Sequence, residues 1–215
     1  MASCRILAVT PATAVFSIST QPEKDLMISP LDALNSAPAR TAIARIAPLV
    51  ERSEWVARDV VAQRPFASTE ALAAALVECI LAAGPARRLA LFRVHPELAG
   101  CEAVAGRMTD ESASEQARLG LMSLSAQDAE RLTRLNVAYM ARFSHPFILA
   151  LHRVPDLAAL FAIFDQRLQA SPLEEHMTTL AEIASVIGDR TAAAFGAGEG
   201  DPRPAQTACP QDTSL

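Results

Sequence analysis

The sequence predicts an all-α protein, folded as a single-domain bundle of about eight helices. Hydrophobic residues make up 51% of the 215 residues, yet aromatic residues make up only 5%. Much of the apolar content is alanine, which has the highest helix propensity. Apolar residues also recur at intervals of three and four. Finally, Ser, Thr or Asp residues precede most of these apolar stretches, as expected of helix N-caps.

The first half of the chain contains the starts of five predicted helices. Ser29 and Pro30 are an N-cap and a first-turn residue. Ser53 and Ser68 precede two further helices, and Pro65 ends the first of these. The predicted helices after the one at Ser29 cover about 38–50, 54–63, 70–83 and 87–94.

The second half predicts four more helical stretches. They begin at Thr109 or Asp110, after Ser125, at Asp156 and at Ser171, and they run to about residues 124, 143, 169 and 195. The apolar stretch 147–151 is either extended or a buried helix. Residues 28–195 therefore form the predicted domain. Residues 1–27 are interpreted as a disordered or spurious leader, with Met27 as an alternative start, and residues 196–215 as a disordered tail.

Charge and composition exclude several classes of function. The net charge of −5, with no basic stripe, argues against nucleic-acid binding. No apolar stretch reaches the 18–20 residues of a membrane span. The four cysteines form no C-x-x-C pair, so a zinc site or disulfide framework is not expected. We expect a cytoplasmic protein that binds neither nucleic acid nor membrane and holds no metal.

Two polar clusters are candidates for chemistry. His95 precedes Pro96, which restricts His95 to extended backbone angles and so aims its imidazole as an acid–base group. Ser112, Glu115 and Gln116 are spaced i, i+3 and i+4, and therefore share a helix face suited to a hydrogen-bonding ligand. Taken singly, each cluster is better explained by a structural alternative, namely a capping or exposed His and a solvated helix face.

A third polar cluster ends at a proline. Asn136, Tyr139 and Arg142 advance in steps of three along a predicted helix that Pro146 interrupts. An Arg before such a break is suited to clamp a carboxylate. The structural alternative is a surface Arg beside packing and capping residues.

In this order and at this spacing, the clusters resemble one family, the decarboxylases of 2-oxo-4-hydroxy-4-carboxy-5-ureidoimidazoline (OHCU). Residues 95–100 are similar to the family's His-Pro-Asp/Glu-Leu-Ala-Gly motif, and residues 108–116 to its Leu-Thr-x-x-Ser-x-x-Glu-Gln motif. Residues 135–148 are similar to Leu-Asn-x-Ala-Tyr-x-x-Arg-Phe-Gly-x-Pro-Phe-Ile. Residues 51–56 and 64–66 also match, so that the resemblance spans about 28–195.

The resemblance implies a carboxy-lyase of urate catabolism, that is, of purine metabolism. It would remove CO₂ from ring carbon 4 of OHCU and yield (S)-allantoin. No cofactor is implied, because the ring imine of the substrate can accept the electron pair that CO₂ leaves behind. The implied partner is this small ureidoimidazoline carboxylate, and the resemblance leaves a homodimer open.

The resemblance also implies roles for individual residues. The catalytic residues would be His95 as the acid–base group, Glu115 as a polarising or orienting group and Arg142 as the anion clamp. The implied substrate-binding residues are Pro96, Ser112, Gln116, Phe147 and Ile148.

Some positions depart from the family pattern. Ser144 stands where the family usually has Gly, and Cys101 where Lys is common. Residues 183–186 lack the usual Arg-Leu-Arg-Leu. Two alternatives therefore remain. One is a decarboxylase-like homologue that acts on, or only binds, another ureido acid. The other is a structural bundle, in which His95, Glu115 and Arg142 would be scattered rather than gathered in one pocket.

Overall fold

The computed structural model describes residues 28–100, 103 and 105–196. In this part of the chain the structure contains α-helices and short 3₁₀ turns but no strand, which confirms the all-α prediction. The helices are α1 (Pro30–Ser36), α2 (Ala39–Ile46), α3 (Glu54–Val61), α4 (Thr69–Ala82), α5 (Pro85–Arg93), α6 (Asp110–Arg118), α7 (Ala126–Phe143), α8 (Leu157–Arg167) and α9 (Pro172–Phe195). The 3₁₀ turns are Ala47–Val50 and Leu151–Arg153. The predicted leader 1–27 and residues 197–215 of the predicted tail lie outside the described residues.

Helix α3 begins after Ser53 as predicted, without a side-chain capping bond, and six further helices also begin where the sequence predicted. In each of these six, an N-cap oxygen accepts a hydrogen bond from a backbone N–H of the first turn, one of the donors that a helix start leaves without a partner. The N-caps are Ser29, Ser68, Thr109, Ser125, Asp156 and Ser171. The N-cap hydrogen bonds therefore account for the accuracy of these starts.

Helix ends were predicted less well. The helix expected over 38–50 stops at Ile46, and the 3₁₀ turn that contains Pro48 follows. The helix expected to reach residue 124 stops at Arg118, because Gly120 adopts a left-handed φ of 67°. Helix α5 begins at Pro85, two residues earlier than expected, since proline is favoured in the first turn.

The core consists of two hydrophobic clusters with a seam between them. The first cluster joins α1–α5 to α9, which packs mainly along α4, and the second joins α7 and α8. The chain at 146–150, here called the extended segment, forms neither helix nor strand and runs along the seam. Ile148 packs in the first cluster, whereas Phe147 and Leu149 pack in the second, as alternation along extended chain requires. Polar groups at this seam are therefore enclosed from both sides.

Among the described residues, no single helix has the length and apolar composition to cross a bilayer. Only α4 and α5 taken together reach that length, across a 118° bend.

Ser144 provides a test of local backbone strain. It follows α7 in the left-handed conformation, with φ 62° and ψ 23°, and its exposed side chain has no hydrogen bond among those described. Left-handed backbone is unfavourable for residues with a Cβ atom but not for glycine. We predict that Ser144→Gly raises the free energy of unfolding by about 0.5–1 kcal/mol in urea denaturation.

The matched control for this prediction is Ser125→Gly, at an N-cap with φ −61°. Here the substitution removes a capping hydrogen bond and should lower stability by a few tenths of a kcal/mol. If the two substitutions changed stability equally, backbone strain at Ser144 would not be the cause.

Candidate active site

The structure brings seven of the eight predicted site residues to one cavity. The cavity lies at the seam between the two hydrophobic clusters and holds about 40 Å³ of free space. The seven residues are His95, Pro96, Ser112, Glu115, Gln116, Phe147 and Ile148. They come from the loop after α5, from α6 and from the extended segment, so the scattering expected of a purely structural bundle is not observed for them.

The imidazole of His95 is held in one tautomer. Its Nδ1 lies 2.9 Å from the carbonyl oxygen of Leu91. A carbonyl only accepts, so Nδ1 carries the proton and Nε2 of the neutral ring is a proton acceptor. Burial lowers the pKa of His95 to about 4, although the carboxylate of Glu51 and the bond to Leu91 act in the opposite direction. At neutral pH the cavity therefore contains a neutral imidazole, with its proton on Nδ1.

The loop that carries His95 is fixed by buried amides. The backbone N–H of Ala99 donates to Gln116 Oε1 at 2.8 Å, and Gln116 Nε2 donates to the carbonyl of Glu97 at 3.4 Å. Asn136 Nδ2 donates to the carbonyl of Leu98 at 3.0 Å. Gln116 lines the cavity as predicted, but these bonds show that it also positions the 96–100 loop.

The cation in this cavity is Arg190 of α9, which the sequence analysis did not select. Its Nε and Nη2 donate to the two carboxylate oxygens of Glu115, at 2.7 and 3.0 Å. Nη1 donates to Pro48 O at 3.1 Å and to Glu51 at 3.3 Å, and Nη2 also donates to Ser112 Oγ at 3.3 Å. All five N–H donors of this guanidinium are thus engaged by protein groups.

Glu51 is a second site residue without a predicted role. Its carboxylate is 1% exposed and accepts hydrogen bonds from Ser112 Oγ at 2.7 Å, from Thr109 Oγ1 at 3.1 Å and from Arg190 at 3.3 Å. Burial lowers the pKa of Arg190, but the hydrogen bonds and charges of Glu115 and Glu51 outweigh it and raise that pKa above its ordinary value. Two acidic side chains thus face one guanidinium in this cluster.

Arg142, the predicted anion clamp, lies outside this cavity. Its Nη2 donates to the carbonyl of Ala170 at 2.9 Å, and the residue lines a separate pocket with His145 and His176. The cause is helical drift, because each step of three residues turns a helix by about −60°. Asn136 and Tyr139 are buried, and the next step carries Arg142 to the surface. The expectation that Arg142 joins His95 and Glu115 was therefore wrong.

A second buried ion pair supports the lining of the cavity. Arg167 forms a salt bridge with Glu175, and Tyr139 Oη also donates to Glu175. Arg167 Nη1 donates to the carbonyl of Ile148 at 2.7 Å, and its guanidinium lies 4.5 Å from the ring centre of Phe147. These contacts hold the extended segment in place against His95.

The Glu115–Arg190 pair also borders a larger pocket on its other side. That pocket has a volume of about 610 Å³ and includes Arg45, Arg118 and His152. Glu115 is the more accessible partner, with 25% of its side chain exposed against 7% for Arg190. The pair thus forms a wall shared by the outer pocket and the inner cavity.

The chemistry available in the cavity is proton transfer beside charged hydrogen-bonding groups. A neutral imidazole, a carboxylate and a guanidinium lie together around an enclosed space. Over the described ranges, no group of three or more His, Cys, Asp or Glu side chains is placed to hold a metal ion.

Comparisons with known proteins point to one family. The family model described as OHCU decarboxylase matches residues 35–192. The decarboxylase of this name from Mus musculus is 36% identical over 149 residues, which are 69% of this chain and 83% of that protein.

Two solved structures are similar in fold. The crystal structure of (S)-allantoin synthase gives a TM-score of 0.61 at 24% identity, and the match covers 77% of this chain and 54% of that chain. The crystal structure of OHCU decarboxylase in the presence of (S)-allantoin gives a TM-score of 0.58 at 18% identity, covering 71% and 98%. At these identities the likeness concerns the fold alone. By the family match and the identity to the mouse protein, the chain belongs to the OHCU decarboxylase family.

Proposed function

We propose that this protein decarboxylates OHCU to (S)-allantoin in urate catabolism, without a cofactor. The observation that carries the proposal is a neutral His95 in the same cavity as the Glu115–Arg190 pair. Membership of the family and the name of the mouse relative supply the substrate.

In the proposed reaction His95 acts first as a base and then as an acid. When the bond between ring carbon 4 and the carboxylate breaks, the electron pair moves toward the neighbouring ring imine, and an enediol-like species forms. His95 Nε2 takes the proton of the carbon-4 hydroxyl, which becomes a carbonyl, and returns a proton to one face of carbon 5. One further proton reaches the ring nitrogen, equal to the net uptake when a carboxylate leaves as CO₂.

Arg190 takes the electrostatic role that the sequence analysis gave to Arg142. Charge moves from the carboxylate to the ring during the reaction, and a guanidinium fixed beside the ring stabilises it there. Tight binding of the carboxylate itself would only stabilise the ground state. The bonding of Arg190 avoids this, because all five of its N–H groups already donate to protein groups.

The direct test is circular dichroism of urate oxidised by urate oxidase and hydroxyisourate hydrolase, with and without this protein. We expect rapid formation of optically active allantoin, abolished by His95→Gln because Gln cannot carry the proton. Slow racemic decay that the folded protein leaves unchanged would contradict the proposal. It would favour a homologue that acts on, or only binds, another ureido acid.

Arg190 and Arg142 provide a second prediction. Arg190→Gln should lower kcat/KM by about 10²-fold or more, since it removes a preorganised charge from the cavity. Arg142→Gln is the matched control and should keep kcat/KM within about threefold, because its side chain lies in another pocket. If Arg142→Gln lowered kcat/KM more than Arg190→Gln in folded variants, Arg142 would be the residue that stabilises the developing negative charge.

The low pKa of His95 provides a third prediction. The neutral ring, which acts as the base, predominates above a pKa of about 4. We therefore expect kcat/KM to stay level from about pH 8 down to about pH 5, and to fall only as the pH drops through the pKa. An acidic limb centred near the ordinary histidine value of 6.5 would show that His95 is not desolvated as described.

A further inference from the structure

We propose that Glu51 is a positioning residue of this site. Its carboxylate accepts the hydrogen bond of the Ser112 hydroxyl, so that Ser112 presents only a lone pair to the ligand. The inference rests on the proposed function. It adds a specificity rule, namely that the ligand group facing Ser112 must be a hydrogen-bond donor, such as a ring amide or ureido N–H.

The hydrogen bonds of Ser112 leave one acceptor site free. A serine hydroxyl has one hydrogen and two lone pairs. The hydrogen goes to Glu51 across 2.7 Å, since a carboxylate offers only acceptors. One lone pair accepts from Arg190 Nη2 at 3.3 Å. One lone pair is left, and Ser112 lines the cavity that also contains His95. Toward a ligand, Ser112 is therefore an acceptor.

Glu51 also holds the first turn of α6 and contacts α9. Its carboxylate accepts from both Ser112 and Thr109, and Thr109 is the N-cap of α6, whose Oγ1 in turn accepts the N–H of Ser112 at 3.3 Å. Glu51 thus holds the start of the helix that presents Ser112 and Glu115 to the cavity. It also accepts from Arg190, which joins α9 to the same point.

The backbone at Glu51 and Arg52 is strained. The φ of Glu51 is 26° and that of Arg52 is 48°, both in the left-handed region that side chains with a Cβ disfavour. Such strain persists where the surrounding structure holds it in place. Here the turn between the 3₁₀ segment Ala47–Val50 and α3 directs the carboxylate inward, toward α6 and α9.

The test is a double-mutant cycle on kcat/KM with Glu51→Gln and Ser112→Ala. The Gln amide has nearly the same shape, but its NH₂ group is a donor where Glu51 only accepts, which disturbs the orientation of Ser112 and Arg190. Each single variant should lose about 10²-fold in kcat/KM, and the double variant should lose little more than the larger single effect. The enzyme concentration is corrected for the folded fraction, so a loss of stability alone does not register.

Ser144→Gly, outside the cavity, is the matched control and should combine additively with Glu51→Gln. Full activity of folded Glu51→Gln, or additive losses with Ser112→Ala, would overturn the inference and leave the decarboxylase proposal standing. An inactive wild-type enzyme would instead contradict the proposed function.

A crystal structure of the wild-type protein with (S)-allantoin gives an answer even if Glu51→Gln does not fold. We expect Ser112 Oγ to keep its bond to Glu51 and to lie about 3 Å from a nitrogen of the ligand. A ligand carbonyl oxygen at that position would require Ser112 to donate, and would overturn the inference.

Discussion

The cavity is organised around the guanidinium of Arg190, which must satisfy five N–H groups away from most of the solvent. An unpaired buried charge costs several kcal/mol, so each donor requires a partner with good geometry. The partners come from the turn before α3, from α6 and from the carbonyl of Pro48. One side chain on α9 thereby links its own helix to two segments that are remote in sequence, residues 48–51 and α6. A buried ion pair contributes little net stability, so its value here lies in geometry.

The second hydrophobic cluster contains a similar arrangement. Arg167 and Glu175 are paired in the interior, and the guanidinium also binds the carbonyl of Ile148, whose residue lines the cavity. The extended segment at the seam has no helix or sheet to satisfy its carbonyl groups. Buried charge thus provides the hydrogen bond that secondary structure does not supply there. The site is supported on both sides, by Arg190 behind Glu115 and by Arg167 behind Phe147 and Ile148.

Features encoded by neighbouring residues were predicted best, although the helix start at Pro85 and the helix end before Gly120 were missed. Helix starts followed from capping residues next to their helices, and His95, Ser112 and Glu115 followed from short contiguous motifs. Arg190 and Glu51 were not selected, because the two partners are 139 positions apart and no local spacing pairs them. One signal was available: Arg190 continues the buried stripe of Leu180, Ile183 and Ile187, where an unpaired charge is not tolerated. Residues 183–186 lack the family's Arg-Leu-Arg-Leu, and Arg190 lies one helical turn beyond residue 186.

The wall between the outer pocket and the inner cavity has a consequence for how the two spaces influence each other. Glu115 and Arg190 line both of them, and Glu115 is the more accessible partner. A molecule in the outer pocket that drew Glu115 away would leave two N–H groups of Arg190 without their partner beside the cavity. Occupancy of the outer pocket and the charge balance near His95 are thus coupled through one pair of side chains.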